Sequence, residues 1–324
     1  MINILVTSVG GDIGMNIVNI LLKQDLFKCS LFVVDIKKYV FSKNLVKNFY
    51  VVPKTNSDNY INKIDEIITL NNIELIIPSS EVDILFFNSN KKYFAKRRVK
   101  LLINDNVILE NFLDKEKTSL ILEKLGINTP KTYILDTYKD ELNFPVIVKA
   151  KKSTISKMIR ILNSKKELEN LKNELSNKKD YIVQEYVGSV KEEYTTTVFS
   201  NSNENKSISF KRDLDGDKTG FALIDNYQEL DDYSTKIAEY FNLNGSLNLQ
   251  SRKNENKFYV FEINPRISST VYIRNHFNFH DLLWWICTIC DIKFTFTKAD
   301  ESGVAVIGYT YSFFKKEENE NRSN

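Results

Sequence analysis

Short apolar runs alternate with helical patterns over the first third of the chain. Strands are predicted at residues 2–6, 31–35, 50–52, 75–78 and 101–103. Between them, apolar residues follow helical spacing up to Leu22 and again from Tyr60 to Leu70. Strands that alternate with helices are typical of a parallel sheet covered by helices on both faces. We therefore predict a doubly wound parallel α/β sheet in a first domain, residues 1–112.

The pattern changes after Asp114. A helix is predicted from Lys115 to Leu125, because Gly126 and then Pro130 follow it. Further strands are predicted at 146–149, 160–162, 181–184, 193–199 and 207–211, with helices at 165–175 and 233–241. The runs 247–250 and 258–262 predict a hairpin with a polar turn from Lys253 to Lys257. We expect an α+β domain over residues 113–314 and a disordered tail over 315–324.

Composition narrows the class of protein. The chain has 324 residues, of which 42% are hydrophobic, enough for more than one domain. Its net charge is only +3, and basic and acidic residues are mixed, so we expect no nucleic-acid partner. No apolar run approaches the length of a bilayer span, and the first residues resemble a strand. We therefore expect no membrane partner, no signal peptide and a cytoplasmic location.

Oxygen-bearing side chains gather at one end of the predicted hairpin. Gln250 and Glu262 would lie close together at the rim of the sheet, and Asn264 would point the same way as Glu262. Mg²⁺ prefers oxygen ligands and takes only a few of them from the protein. Pro265 stiffens the following turn, and Arg266 offers a forked donor for a phosphate or a carboxylate. The sequence therefore predicts a magnesium and phosphate site here.

A second polar segment follows the strand 181–184. The run Gln184-Glu185-Tyr186-Val187 places an acid at the strand end before an extended linker, which suits hydrogen bonding to the edge of an adenine. Glu193, a few residues on, could accept the ribose hydroxyls. Lys149 ends an apolar strand, where its cation can meet a phosphate.

These elements occur in an order that resembles the ATP-grasp superfamily, and within it the carbamoyl-phosphate synthase large-subunit type. The order is Lys149, Gln184-Glu185-Tyr186-Val187, Glu193, Gln250 and Glu262-x-Asn264-Pro265-Arg266. The likeness spans residues 113–290, and the first domain resembles the pre-ATP-grasp domain of that family. It implies a two-lobed ATP-grasp domain with a small lobe at about 113–187 and a large lobe at about 188–314.

The resemblance also implies roles for single residues. The metal ligands would be Gln250, Glu262 and Asn264, holding Mg²⁺ as two ions, with Mn²⁺ as a substitute. The ATP contacts would be Lys115, Lys149, Lys151, Ser156, Gln184, Glu185, Tyr186, Val187 and Glu193. Arg212 and Arg266 would be the catalytic cations that hold the transferred phosphate. The implied activity is a ligase that forms an amide bond between a small carboxylate, of amino-acid or sugar type, and an amine.

Other interpretations stay open. The family has a glycine-rich loop after the position of Lys149, whereas residues 150–158 contain no glycine; a catalytically weak or inactive ATP-binding protein is therefore an alternative. The segment 9–14 with Asp35 invites a dinucleotide site and hence a nicotinamide-dependent oxidoreductase, but Val9 replaces the first glycine and favours a tight strand-to-helix turn. Bicarbonate or ammonia as the acceptor and a homodimer also stay open.

Overall fold

The computed structural model describes residues 1–153, 158–216, 218–308 and 311–314. These residues divide into two compact units. The first unit is Met1–Leu101 with the described residues from Gly308 onward, and the second is Leu102–Ile307. The segment 315–324, predicted to be disordered, lies outside the described residues. No helix in the described part of the chain has both the length and the apolar character needed to cross a bilayer.

The first unit is built on a five-stranded parallel sheet. Its strands are β1 (Ile2–Val6), β2 (Cys29–Asp35), β3 (Asn48–Val51), β4 (Leu75–Ile77) and β5 (Lys100–Leu101). Its helices are α1 (Asp12–Lys23), α2 (Tyr60–Asn71), α3 (Glu81–Ser89) and α4 (Lys91–Lys96). The strands lie in the order β3-β2-β1-β4-β5, and every pairing is parallel. The predicted doubly wound sheet is confirmed.

The loop between β1 and α1 is a tight turn that depends on glycine. A Cβ on Gly14 would lie 2.7 Å from the carbonyl oxygen of Ser8 and 2.8 Å from Oγ of Ser79. The carboxylate of Asp35 accepts a hydrogen bond of 2.7 Å from the backbone nitrogen of Gly10. The acid that a dinucleotide site would need for the ribose is thus engaged in closing the loop. These contacts favour the tight-turn interpretation.

The second unit contains two antiparallel sheets. The smaller sheet has the order β6-β9-β7-β8 and consists of β6 (Thr132–Ile134), β7 (Val146–Ala150), β8 (Ile159–Leu162) and β9 (Tyr181–Glu185). The larger sheet has the order β14-β13-β10-β11-β12-β15 and consists of β10 (Glu193–Asn201), β11 (Asn205–Asp215), β12 (Lys218–Ile224), β13 (Asn244–Asn254), β14 (Lys257–Asn264) and β15 (Gly303–Val306). The helices are α5 (Asn106–Phe112), α6 (Lys115–Lys124), α7 (Lys165–Glu174), α8 (Gln228–Tyr240), α9 (Val271–His276) and α10 (Asp281–Cys290).

The two faces of the larger sheet differ in chemistry. On one face, Val198 and Leu249 pack against Leu230 and Ile237 of α8 in a buried core. Side chains alternate along a strand, so the residues next to Val198 on β10 and next to Leu249 on β13 point to the opposite face. That opposite face carries polar and charged side chains towards the end at which β10 begins, and it holds the predicted metal and phosphate site.

The hairpin of β13 and β14 confirms the predicted pairing but has a shorter turn. The strands continue to Asn254 and resume at Lys257, which leaves Glu255 and Asn256 as the turn. Both residues have positive φ, at 47° and 67°. This backbone matches the twist of the two strands, so the pairing extends through residues whose polarity had suggested a loop.

A fully buried ion pair anchors the segment that follows Arg266. Nε and Nη2 of Arg274 each donate to the carboxylate of Asp281 at 2.7 Å, and neither side chain is exposed. Arg274 also donates to the hydroxyls of Ser268 and Thr270, at 2.8 and 3.1 Å. The pair thereby ties this segment to the start of α10.

We expect Asp281→Ala to lower the free energy of unfolding of the second unit by about 3–5 kcal/mol, because it leaves the Arg274 guanidinium buried without an anion. Urea unfolding followed by the fluorescence of Trp284 and Trp285, which lie in α10, measures this loss. Glu301→Ala is the matched control, since its ion pair with Lys298 is exposed and should contribute little. A wild-type unfolding midpoint for Asp281→Ala would contradict the assignment.

Candidate active site

The three predicted metal ligands lie together on β13 and β14. Gln250 lies directly opposite Glu262, and Asn264 lies opposite Asn248. Residues that face each other across two strands, and those two apart along one strand, point to the same face. The hairpin therefore presents these four polar side chains side by side on the polar face of the larger sheet.

Asn248 belongs to this group although the sequence analysis did not select it. Its side chain is 2% exposed, and its Oδ1 accepts hydrogen bonds from the hydroxyls of Thr195, at 2.9 Å, and Thr197, at 3.2 Å. These bonds fix the orientation of the amide, so its nitrogen is the edge available to a ligand. Its spacing of two residues from Gln250 was the signal in the sequence that could have identified it.

Two lysines from outside the larger sheet bring positive charge to Glu262. Lys115 is the first residue of α6, and its Nζ lies 3.3 Å from Oε1 of Glu262. Asp114 caps this helix by accepting hydrogen bonds from two backbone nitrogens of the first turn, which fixes the place where the Lys115 side chain emerges. Lys149 on β7 is 6% exposed, and its Nζ donates to the carbonyl oxygen of Phe261 at 3.5 Å.

The charges around Glu262 shift two pKa values. Burial lowers the pKa of the Lys149 ammonium to about 8, and repulsion from Lys115 and Arg252 adds to this while Glu262 opposes it. Burial acts to raise the pKa of Glu262, but attraction by Lys115, Lys149 and Arg266 outweighs it, and the net pKa is lowered. The cations outnumber this single carboxylate. A polyphosphate is a ligand that would balance them.

Glu193 lies between two arginines on neighbouring strands. In the sheet it is opposite Arg212 of β11 and Arg252 of β13. Its Oε1 accepts from Nη2 of Arg212 at 2.7 Å, and its Oε2 accepts from Nε and Nη2 of Arg252 at 3.2 and 3.1 Å. Nε of Arg212 is buried and has no hydrogen-bond partner among the described residues. Arg212 therefore keeps a donor that a bound anion can use.

The segment predicted to meet adenine is tied to the smaller sheet at its start. Nε2 of Gln184 donates to Oγ1 of Thr132 at 2.9 Å, and the Glu185 carboxylate accepts from the backbone nitrogen of Lys131 at 3.2 Å. Both side chains thus help to join β9 to β6. Their contacts with adenine stay a prediction.

The same segment then packs against β13. Val187 is buried, and Gly188 has a φ of +63°. A Cβ at Gly188 would lie 2.7 Å from the carbonyl oxygen of Lys253, so only glycine permits this approach. The ring of Tyr186 lies beneath the guanidinium of Arg252, 5.4 Å from its carbon.

The remaining predicted site residues differ in how far their side chains are already engaged within the protein. Lys151 is paired with Glu116 and lies 3.6 Å from Asp114, so its ammonium already has anionic partners. Arg266 donates from Nη1 to the carbonyl oxygen of Ile267 at 3.1 Å, and its Nη2 lies 3.5 Å from Oδ1 of Asn264. Ser156 lies outside the described residues.

The donor set fits Mg²⁺. Gln250, Glu262 and Asn264 offer carboxylate and amide oxygens, the hard ligands that this ion prefers. The part of the chain that the structure describes has no cluster of three or more His, Cys, Asp or Glu side chains that could hold a metal. Because Mg²⁺ usually keeps water and takes phosphate oxygens as further ligands, one carboxylate and two amides suit it.

Two family models match different parts of this chain. One, described as ATP-grasp in the biosynthetic pathway with Ter operon, matches residues 177–280, and the other, described as PylC-like, N-terminal domain, matches residues 4–102. Among curated proteins, the coenzyme gamma-F420-2:alpha-L-glutamate ligase of Methanococcus maripaludis is 37% identical over 94 residues, which are 26% of this chain and 32% of the relative. The chain thus spans about one third of the length of this curated relative.

Solved structures share the fold over most of both chains. The N5-carboxyaminoimidazole synthetase of Staphylococcus aureus complexed with ADP has a TM-score of 0.72 at 14% identity, covering 94% of this chain and 81% of that one. The biotin carboxylase domain of the Hydrogenobacter thermophilus 2-oxoglutarate carboxylase, in complex with MgADP, ADP and bicarbonate, has a TM-score of 0.70 at 15% identity, covering 93% and 73%. The family models and the shared fold confirm the predicted resemblance to the ATP-grasp superfamily: an ATP-grasp model matches residues 177–280, and a PylC-like N-terminal model matches residues 4–102.

Proposed function

We propose that this chain is an ATP-dependent carboxylate–amine ligase that releases ADP and phosphate. The observation that carries the proposal is the arrangement at Glu262. This carboxylate lies opposite Gln250, is ion-paired with Lys115 at 3.3 Å, and is attracted by the buried ammonium of Lys149. The residues that we propose as metal ligands and as phosphate-binding cations thus lie around one point of the sheet.

The residues present would divide the binding of Mg-ATP between them. Glu262, Gln250 and Asn264 would hold Mg²⁺, which when bound neutralises charge on the phosphates. Lys115 and Lys149 would orient phosphate oxygens, the role that the sequence analysis predicts for them. At the other end, Glu185 and the backbone of Val187 would meet adenine, and Glu193 would accept a ribose hydroxyl. The role of Lys151 requires its ammonium to leave Glu116, and that of Ser156 stays a prediction.

The proposed reaction has two transfers. A carboxylate oxygen of the substrate attacks the γ-phosphorus, the bond to the β-phosphate oxygen breaks, and ADP leaves. The amine then attacks the acyl carbon, loses a proton, and displaces phosphate to form the amide. Arg212, with its unpaired buried Nε, and Arg266 would donate hydrogen bonds to the phosphate as it moves.

A small amino-acid or sugar-type carboxylate is the substrate class that we propose. The curated relative is named as a ligase of glutamate, which favours an amino acid as one of the two substrates. The biotin carboxylase domain of similar fold was solved with bicarbonate, so bicarbonate is the alternative to test beside it. A cytoplasmic location and a homodimer stay predictions.

A catalytically weak or inactive ATP-binding protein is the second candidate. Residues 150–158 contain no glycine, and Lys151 in this segment is already paired with Glu116. A pure binding protein has little need, however, for a carboxylate and two amides aligned as metal ligands. Turnover decides between the two candidates.

We expect Glu262→Gln to reduce ADP release by roughly 10²–10³-fold, because it removes both the only carboxylate of the proposed metal site and the ion pair with Lys115. The measurement is ADP release by the full chain with Mg-ATP and separate pools of amino acids, sugar acids and bicarbonate. Release that depends on one pool would identify the substrate class.

The matched control is Glu255→Gln, which makes the same chemical change at the exposed turn of the same hairpin. It should release ADP at the wild-type rate. ATP binding with no release in any pool would favour the inactive protein, and no binding of ATP would refute the proposed function.

The affinity for Mg-ATP should weaken as the pH rises through about 8. Burial lowers the pKa of Lys149 to about 8, so the free protein loses this ammonium above that pH and with it a cation for the phosphates. The dissociation constant is expected to rise by up to about tenfold per pH unit between pH 8 and 9.5. Equilibrium titration with Mg-ATP measures it.

Lys149→Arg tests the assignment, because a guanidinium stays charged over this range and should flatten the alkaline part of the profile. Lys236→Arg, on the exposed side of α8, is the control that should keep it. A wild-type affinity that is equal at pH 7.5 and 9.5 would show that Lys149 does not bind phosphate as its ammonium.

A further inference from the structure

One arginine that lies outside the predicted site residues joins three segments of the site. Arg252 is on β13, two residues beyond Gln250. Its guanidinium donates two hydrogen bonds to one oxygen of Glu193 and lies 5.4 Å from the ring centre of Tyr186 and 5.6 Å from that of Phe261. Tyr186 belongs to the linker after β9, and Phe261 directly precedes Glu262 on β14. Arg252 thus connects this linker and Glu193 with the strand that carries the metal ligand.

The hydrogen bonds of Arg252 decide which edge of Glu193 stays available. A carboxylate oxygen accepts about two hydrogen bonds. Oε2 of Glu193 already accepts two from Arg252, whereas Oε1 accepts one from Arg212. One acceptor position therefore remains, on Oε1. Without Arg252 the carboxylate could rotate, and this position would lose its fixed direction.

The surroundings of Arg252 leave its guanidinium little freedom. Its side chain is 15% exposed, and Gly188 brings the linker so close that a Cβ there would lie 3.3 Å from Cβ of Arg252. A planar guanidinium that stacks on rings and forks onto a carboxylate is a geometry that lysine cannot reproduce. These contacts therefore require the planar shape of the Arg252 guanidinium as well as its positive charge.

We propose that Arg252 is a positioning residue for the nucleotide: it orients Glu193 so that Oε1 accepts a ribose hydroxyl. This inference rests on the proposed binding of ATP. Arg252 acts through Glu193. It also holds the linker at Tyr186 close to Phe261 of β14. Its removal is therefore expected to affect recognition of the ribose more than binding of the phosphates.

The test compares the affinities of the full chain for Mg-ATP, 2′-deoxyATP and 3′-deoxyATP by equilibrium titration. The wild type should bind one deoxy analogue about tenfold more weakly than ATP, the factor expected for one lost hydrogen bond to a charged group. In Arg252→Gln, the affinity for ATP and the affinity for that deoxy analogue should come within about twofold of each other, chiefly because ATP binds more weakly. Arg252→Lys should also lose the preference, because it keeps the charge and loses the fork.

Two further variants separate positioning from other roles. Lys257→Gln removes a positive charge from the exposed end of the same hairpin and should keep the tenfold preference. Adding Arg252→Gln to Glu193→Gln should cause no further loss of preference, because Arg252 acts through that carboxylate. A further loss in the double variant would mean that Arg252 contacts the nucleotide itself and would overturn the proposal.

The outcomes also separate this inference from the proposed function. An undiminished preference in a folded Arg252→Gln or Arg252→Lys variant that still binds ATP would overturn the positioning role and leave the ligase proposal intact. Failure of the wild type to bind Mg-ATP at all would overturn both.

Discussion

The attraction between Glu262 and two lysines, Lys115 and Lys149, is the interaction on which the candidate site depends. Lys115 approaches from the start of α6, Lys149 from β7, and Glu262 from the edge strand of the larger sheet. Burial makes the ammonium of Lys149 costly to keep charged, and the Glu262 carboxylate offsets part of this cost. The charges that we propose for binding a nucleotide thus also link α6 and the smaller sheet to the larger sheet.

Two buried charge clusters in this unit differ in what they leave unsatisfied. Arg274 and Asp281 are both fully buried and share two hydrogen bonds, and Ser268 and Thr270 accept two more from Nη1 of Arg274. Glu193 is also buried, at 3% exposure, but Nε of its partner Arg212 lacks a hydrogen-bond partner among the described residues. A satisfied pair holds a fold together, whereas an incomplete one has capacity for a ligand.

In the first unit, polar side chains at the carboxyl ends of the strands are hydrogen-bonded within the protein. Asp83 of α3 is 2% exposed and accepts hydrogen bonds from the hydroxyls of Thr7, Ser8 and Thr55. Together with Asp35 closing the glycine turn, this network uses the polar side chains of the loop for structure. The segment that resembles a dinucleotide motif is thus accounted for by packing.

The sequence alone determined the strand periodicity, the parallel first sheet and the approach of Gln250 to Glu262, because these follow from local patterns of two and about four residues. It did not determine the length of the β13–β14 turn, where polar residues with positive φ continue the pairing. Arg252 was also missed, because its role depends on neighbours from other strands, whereas the spacing of Asn248 from Gln250 was a signal that the sequence did contain. Only the tertiary structure decided that Arg252 faces Glu193 across the sheet and Tyr186 across the linker, since both contacts join residues far apart in the chain.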